Sequence, residues 1–190
     1  VQLSQETDTA TVLVVDDERD VAELYTTWLG AEHDVESAYD GETALEMVDE
    51  SVDVVFLDRQ MPGVSGDDVL ASLDERNLDC RVVMVTAVDP DFDIVEMPFD
   101  DYLTKPVGRA DLLGMVEEML TRTTYDDHIQ QYYAVAAKKA TLEAEKSHAE
   151  LATREEYEEI SHRVERLRQQ ADDAVTEFDD FRSAFESLGE

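Results

Sequence analysis

The feature that most constrains this chain is a set of short apolar runs, each of which stops on a polar residue. Residues 11–15 (Thr-Val-Leu-Val-Val) stop at Asp16-Asp17, 52–57 stop at Asp58, 81–85 stop at Thr86, and 99–103 stop just before Lys105. A less apolar run covers 33–38. Short runs rich in β-branched residues are strands, and continuous apolarity means burial on both faces. Between them the apolar spacing becomes helical. Val21, Leu24, Tyr25, Trp28 and Leu29 share one side of 18–30, Ala44, Leu45 and Val48 one side of 41–50, and Val69, Leu70 and Leu73 one side of 67–76. A further helix is expected from 109 to 120. The alternation predicts an α/β fold: a five-stranded parallel sheet with helices on both faces. In open sheets of this kind the reactive site lies beyond the carboxyl ends of the strands. Asp16, Asp17, Asp58, Thr86 and Lys105 stand at those ends.

Three carboxylates gathered at one sheet edge repel each other unless a cation sits among them. Hard oxygen ligands suit Mg²⁺. Asp58 can then act as a nucleophile toward phosphorus and form an aspartyl phosphate. Lys105 supplies an ammonium against the charge of the phosphoryl oxygens, and Thr86 a hydroxyl that can donate to one of them.

Beyond residue 121 the pattern changes. This stretch has no Pro and only Gly189, so helix is favoured throughout. From Tyr157 the apolar residues Ile160, Val164, Leu167, Ala171, Ala174, Phe178, Phe181, Phe185 and Leu188 recur at alternating steps of three and four, a heptad seam. A second stripe runs through Tyr133, Ala137, Ala140, Ala144 and Leu151. Thr153 and Glu156 have the form of a capping box between the stripes. An all-helical extension follows the sheet, either a hairpin or one long coiled-coil helix.

Composition narrows the setting. The 190 residues hold 48 Asp and Glu against 15 Lys and Arg, a formal net charge of -33. A fold so charged repels itself unless counterions are dense, which predicts a cytoplasm of molar salt, as in a halophile. The same charge argues against direct nucleic-acid binding, which needs cationic neutralisation of phosphates. The single cysteine, Cys80, excludes an internal disulfide framework and fits a reducing cytosol. No apolar run is long enough to span a membrane, and the first residues lack the form of a signal peptide.

The quoted strand ends, read with their neighbours, resemble a known family. Val14-Val-Asp-Asp-Glu18, Leu57-Asp-Arg-Gln-Met-Pro-Gly63 with Gly66, Val85-Thr-Ala87 and Tyr102-Leu-Thr-Lys-Pro106 are similar to the receiver domain of response regulators, over about residues 11–121. The resemblance implies a flavodoxin-like (CheY-like) sheet, Asp58 as phosphoacceptor, and Asp16 and Asp17 in a magnesium pocket completed by the backbone carbonyl of Gln60. It makes Thr86 and Tyr102 a switch pair, places Lys105 on the phosphoryl group, and implies a cis Lys105-Pro106 bond. The implied partner is a sensor histidine kinase, and the protein is then a phosphoacceptor with slow self-dephosphorylation, not an enzyme. The chain departs from the family between Thr86 and Lys105. That stretch is short and carries Pro90, Pro98 and four acids where a regular fourth helix is usual. Tyr125-Asp-Asp-His128, Tyr132-Tyr133, Ala137-Lys-Lys-Ala140 and Leu142-Glu-Ala-Glu-Lys146 resemble the HalX domain attached to haloarchaeal receivers.

The organisation expected is an acidic disordered tail over 1–10, a receiver domain over 11–121, and a helical output or dimerisation domain over 122–190. The heptad seam predicts a homodimer through 157–188, with transcriptional control as a possible output by analogy. Competing classes fare worse. A phosphatase working through an aspartyl phosphate needs a second acid two residues after the nucleophile, where Gln60 stands. A flavin-binding module needs a phosphate loop after the first strand, where Asp16-Asp17 stand. A stand-alone protein-interaction module without DNA binding remains the other reading.

Overall fold

The structure is a computed structural model that describes residues 9–123 and 127–187. It divides into two compact units. The first holds the chain up to Asp89 together with Glu96–Thr121, the second Pro90–Val95 and the chain from Arg122 onward.

In the first unit, β1 (Thr11–Val15), β2 (Asp34–Ala38), β3 (Val54–Leu57), β4 (Arg81–Thr86) and β5 (Asp101–Thr104) form one parallel sheet in the order β2-β1-β3-β4-β5. No residue of 12–15, 54–57 or 82–85 is more than 4% exposed, as continuous apolar runs require. The less apolar β2 is an edge strand that alternates exposed and half-buried positions. The third and fifth strands are shorter than the apolar runs that predicted them. Phe99 precedes its strand yet stays buried.

Helices α1 (Arg19–Leu29), α2 (Gly41–Met47), α3 (Gly66–Glu75) and α4 (Arg109–Thr123) fill the connections. Helix α1 buries Ala22, Tyr25 and Leu29, whereas Leu24, expected on the inward side, is 44% exposed. It lies about 100° round the helix from Tyr25 and misses the sheet. Helix α2 is started by Asp40, whose carboxylate accepts the Thr43 N–H at 2.7 Å, and stops at Met47 because Val48 turns extended. Ser65 and Asp68 form a reciprocal capping box on α3. Between β4 and β5 there is only a 3₁₀ turn, Phe92–Glu96, so the irregular fourth helix read from the prolines and acids is what forms. Residues 1–8 of the expected acidic tail lie outside the described residues. Ala10 does not belong to a tail: it is 2% exposed and its carbonyl accepts the Asp34 N–H at 2.9 Å.

In the second unit, α5 (Asp127–Glu145), α6 (His148–Leu151) and α7 (Glu155–Ser187) make a helical hairpin. The Tyr157 hydroxyl at the start of α7 donates to Glu143 Oε1 near the end of α5 at 2.5 Å, so the two helices run antiparallel. The corner is set by a capping box at Ser147 and Glu150, not at Thr153 and Glu156. Both sites match the pattern, and the first one reverses the chain sooner. The inward stripe of α5 is also displaced from the one expected. Val135, Lys138 and Leu142 are buried, while Tyr133, Ala140 and Ala144 are exposed. Leucine and valine remove more apolar area from water than alanine does, and a long lysine stem can pack along apolar surface. On α7, the seam residues Ile160, Leu167 and Ala171 are buried. Ala174, Phe178, Phe181, Phe185 and Leu188 carry side chains outside the described residues.

Ile160 is wholly buried in this hairpin. Ile160→Ala is expected to cost about 2–5 kcal/mol through lost burial and the cavity it leaves. Denaturant melting followed by helical circular dichroism measures it, and a loss below about 1 kcal/mol would mean the hairpin core lies elsewhere. Among the described residues no helix is long and apolar enough to cross a membrane.

Candidate functional site

The sheet register sets the site. Val15 pairs with Leu57, so the next residues, Asp16 and Asp58, emerge side by side from β1 and β3. The Asp58 N–H donates to the Val15 carbonyl at 2.9 Å, and the Asp16 N–H to the Ala38 carbonyl at 3.1 Å. Strand order reverses at the β1–β3 pair, the usual place for a ligand crevice in such sheets. One carboxylate oxygen from each of Asp16, Asp17 and Asp58 lies within 4.8 Å of the other two. Asp16 and Asp58 are 2% and 6% exposed, and Asp17 faces solvent.

Lys105 joins them from the end of β5. Its N–H donates to the Thr86 carbonyl at 2.8 Å, which fixes the backbone, and the Lys105-Pro106 bond is cis. The ammonium lies 2.6 Å from Asp16 Oδ2 and 2.8 Å from Asp58 Oδ2, with Glu18 Oε1 at 3.7 Å. Burial pulls the lysine toward its neutral form, but the hydrogen bonds and charges of Asp16 and Asp58 outweigh it, so its pKa is raised and the group stays cationic. Burial pushes the Asp16 carboxyl up despite help from Lys105 and from the Glu18 N–H at 2.9 Å. Three carboxylates, Asp16, Asp17 and Asp58, share one ammonium in this pocket. A set of hard carboxylate oxygens short of positive charge fits Mg²⁺.

The loop after β3 is shaped by two glycines. Gly63 adopts the left-handed region at φ 78. A Cβ on Gly66 would run into the carbonyl oxygen of Asp58 and the Cα of Arg59, so only glycine lets α3 begin this close to the acidic residue. The Gln60 N–H donates to Asp58 Oδ1 at 3.2 Å.

Thr86 is 1% exposed and Tyr102 6%. They meet at Val88: its N–H donates to Thr86 Oγ1 at 3.3 Å, and the Tyr102 hydroxyl donates to its carbonyl at 2.6 Å. The tyrosine ring is therefore already turned inward, 5.8 Å from the ring of Phe99. Asp16, Asp17, Asp58 and Lys105 form one cluster, and Thr86 and Tyr102 converge on a neighbouring loop. Sequence reasoning missed Glu18, beside Lys105, although it directly follows the aspartate pair. Val88 takes part through its backbone N–H and carbonyl, a role that residue type does not betray. Tyr25 of α1 is a further neighbour, its phenol pushed up by burial against an opposing pull from Lys105.

Comparisons with known proteins agree with this geometry. Residues 12–117 match the response regulator receiver domain, and 121–188 match the HalX domain. A Haloferax volcanii protein with the name "Putative transcriptional regulator" is 47% identical over 165 residues, which is 86% of this chain and 28% of that protein. The transcriptional regulatory protein CpxR of Escherichia coli is 35% identical over 123 residues, 63% of this chain and 53% of CpxR. The chain thus spans little more than half of CpxR and about a quarter of the haloarchaeal relative. Among solved structures, response regulator protein TrrA of Thermotoga maritima, in complex with Mg(2+)-BeF, superposes with a TM-score of 0.51 at 28% identity, covering 58% of this chain and 99% of TrrA. With the acidic cluster at the strand ends and more than half its length matched, the chain belongs to the response regulator receiver family, followed by a HalX domain.

Proposed function

We propose that this chain is the phosphoryl-receiving component of a two-component relay, that it takes the group on Asp58 from a sensor histidine kinase, and that the HalX helices carry the output. The observation that carries this reading is the Asp16, Asp17, Asp58 and Lys105 cluster. Asp58 Oδ2 is held by Lys105, while Oδ1 accepts a long bond from the Gln60 N–H and keeps lone pairs to attack phosphorus. The new bond is Oδ1–P. The bond that breaks is P–N of the donor phosphohistidine, and its electron pair leaves with the imidazole nitrogen. Lys105 keeps its proton throughout and turns its charge onto a phosphoryl oxygen. When bound by Asp16, Asp17, Asp58 and the Gln60 carbonyl, Mg²⁺ supplies positive charge against the same oxygens. The buried Thr86 hydroxyl donates to the phosphoryl group, and Tyr102 follows through Val88. Water later attacks phosphorus, releasing phosphate and restoring the carboxylate, so the chain loads and unloads itself and acts on no other substrate.

The relatives' names point to transcriptional regulation, and a net charge of -33 works against direct DNA binding, which favours output through protein contacts. The homodimer proposed through 157–188 draws on a seam of which Ile160, Leu167 and Ala171 are already buried within the single chain. A salt-rich cytoplasm is the setting proposed.

Metal removal tests the reading. Incubation with acetyl phosphate and Mg²⁺ is expected to give acid-labile label, and excess EDTA to reduce it to background, measured by phosphate-affinity electrophoresis. Full labelling in EDTA would remove the metal from the site.

A further inference from the structure

Residues Pro90–Val95 leave β4 with the first unit but pack with the second. Pro90, Phe92, Ile94 and Val95 are buried, so this short acidic stretch is seated and not a solvated loop. Its seat is the corner of the hairpin. Lys146, at the end of α5, places Nζ 3.1 Å from Asp91 Oδ1 and 5.9 Å from the centre of the Phe92 ring. Arg154, just before α7, holds its guanidinium 4.6 Å from the same ring. Two cations thus converge on one Asp-Phe pair in a chain that has only 15 basic residues. A guanidinium at that distance from an aromatic face is an attractive contact. The Ser147 and Glu150 capping box, which reverses the chain, is what brings Lys146 and Arg154 to the same point.

The other end of this stretch is tied to Thr86 and Tyr102. Val88 is held by Thr86 through its N–H and by Tyr102 through its carbonyl, and Asp89 alone separates it from Pro90. We infer that the hairpin corner is a cationic seat for the Asp91-Phe92 pair, and that a phosphoryl group on Asp58 unseats it. A Thr86 hydroxyl drawn to the phosphoryl group gives up the Val88 N–H, and the chain carries that loss through Asp89 to Pro90. The released corner, with Lys146 and Arg154 uncovered, is the signal that the helical unit presents. This deepens the phosphoacceptor reading and rests on it.

Amide hydrogen exchange on the full chain in molar KCl tests both halves. The Ile94 N–H, bonded to the Asp91 carbonyl at 3.1 Å, is a reporter inside the segment. Lys146→Ala with Arg154→Ala is expected to raise its exchange about fivefold with no phosphoryl analogue present, as loss of an exposed ion pair and a cation–π contact implies. Mg²⁺ with beryllofluoride is expected to do the same in the unmodified chain and to add nothing in the double variant. Unchanged Ile94 exchange in the double variant would overturn the seat. If beryllofluoride changes exchange at Gln60 and Val88 but leaves Ile94 unchanged, the release is overturned while the phosphoacceptor reading stands. No response at either place overturns both.

Discussion

Asp58→Asn is expected to leave no acid-labile label after incubation with acetyl phosphate and Mg²⁺, the largest single-residue effect this site allows. The amide keeps the shape of the carboxyl and an oxygen for the Lys105 ammonium, which lies 2.8 Å from Asp58 Oδ2, so the pocket should stay folded. What disappears is chemistry. An amide oxygen is a far weaker nucleophile than a carboxylate, and its acyl phosphate equivalent does not persist. The neighbours give the contrast. Asp17→Asn removes an exposed carboxylate proposed to hold Mg²⁺ but not the proposed nucleophile, so label should fall and recover in part with more Mg²⁺. A rescue by magnesium for position 17 and none for position 58 separates holding the ion from accepting the group. Label surviving in Asp58→Asn, read by phosphate-affinity electrophoresis with intact circular dichroism as the folding control, would move the acceptor to another carboxylate.

The positions of Asp16 and Asp58 were legible because the site is built on strand ends. A parallel strand buried on both faces reads as an unbroken apolar run, and the residue that breaks it must stand at the sheet edge. The Val15–Leu57 pairing then makes Asp16 and Asp58 neighbours almost automatically. The helical unit gave less away. Its alanines, Ala140 and Ala144, fit a stripe as well as any apolar residue does, yet they face solvent while Lys138 is buried. Two capping-box patterns lie within a few residues of each other, and only packing decides which one turns the chain. Least legible was the seating of Asp91 and Phe92. Their prolines and acids forbade a regular helix, but nothing local announces that Lys146 and Arg154 will meet them. Long-range pairs of charges have no periodicity, so a sequence pattern cannot show them.

Salt should move the stability of the whole chain more than any substitution on its surface. The net charge is -33, and among the described residues Asp16 and Asp58 are the only buried acids, so the remaining negative charge works as a field at the surface. Two like charges about 10 Å apart in water repel by ~0.4 kcal/mol before screening. At 0.1 M salt the screening length is about 10 Å and roughly a third of that survives, whereas at 1 M it is about 3 Å and almost nothing does. Summed over a few tens of such neighbours, the relief reaches several kcal/mol. For a chain of this length about 1 kcal/mol moves the midpoint by roughly 2–4 °C, so Tm is expected to climb by about 10 °C or more between 0.1 M and 2 M KCl. Potassium chloride separates screening from strengthened apolar burial, which sulfate would also produce. Millimolar Mg²⁺ at low KCl should add only what one site can give. A melting curve that stays flat from low to molar KCl would mean that these acids are balanced locally, and the argument for a salt-rich cytoplasm would fail with it.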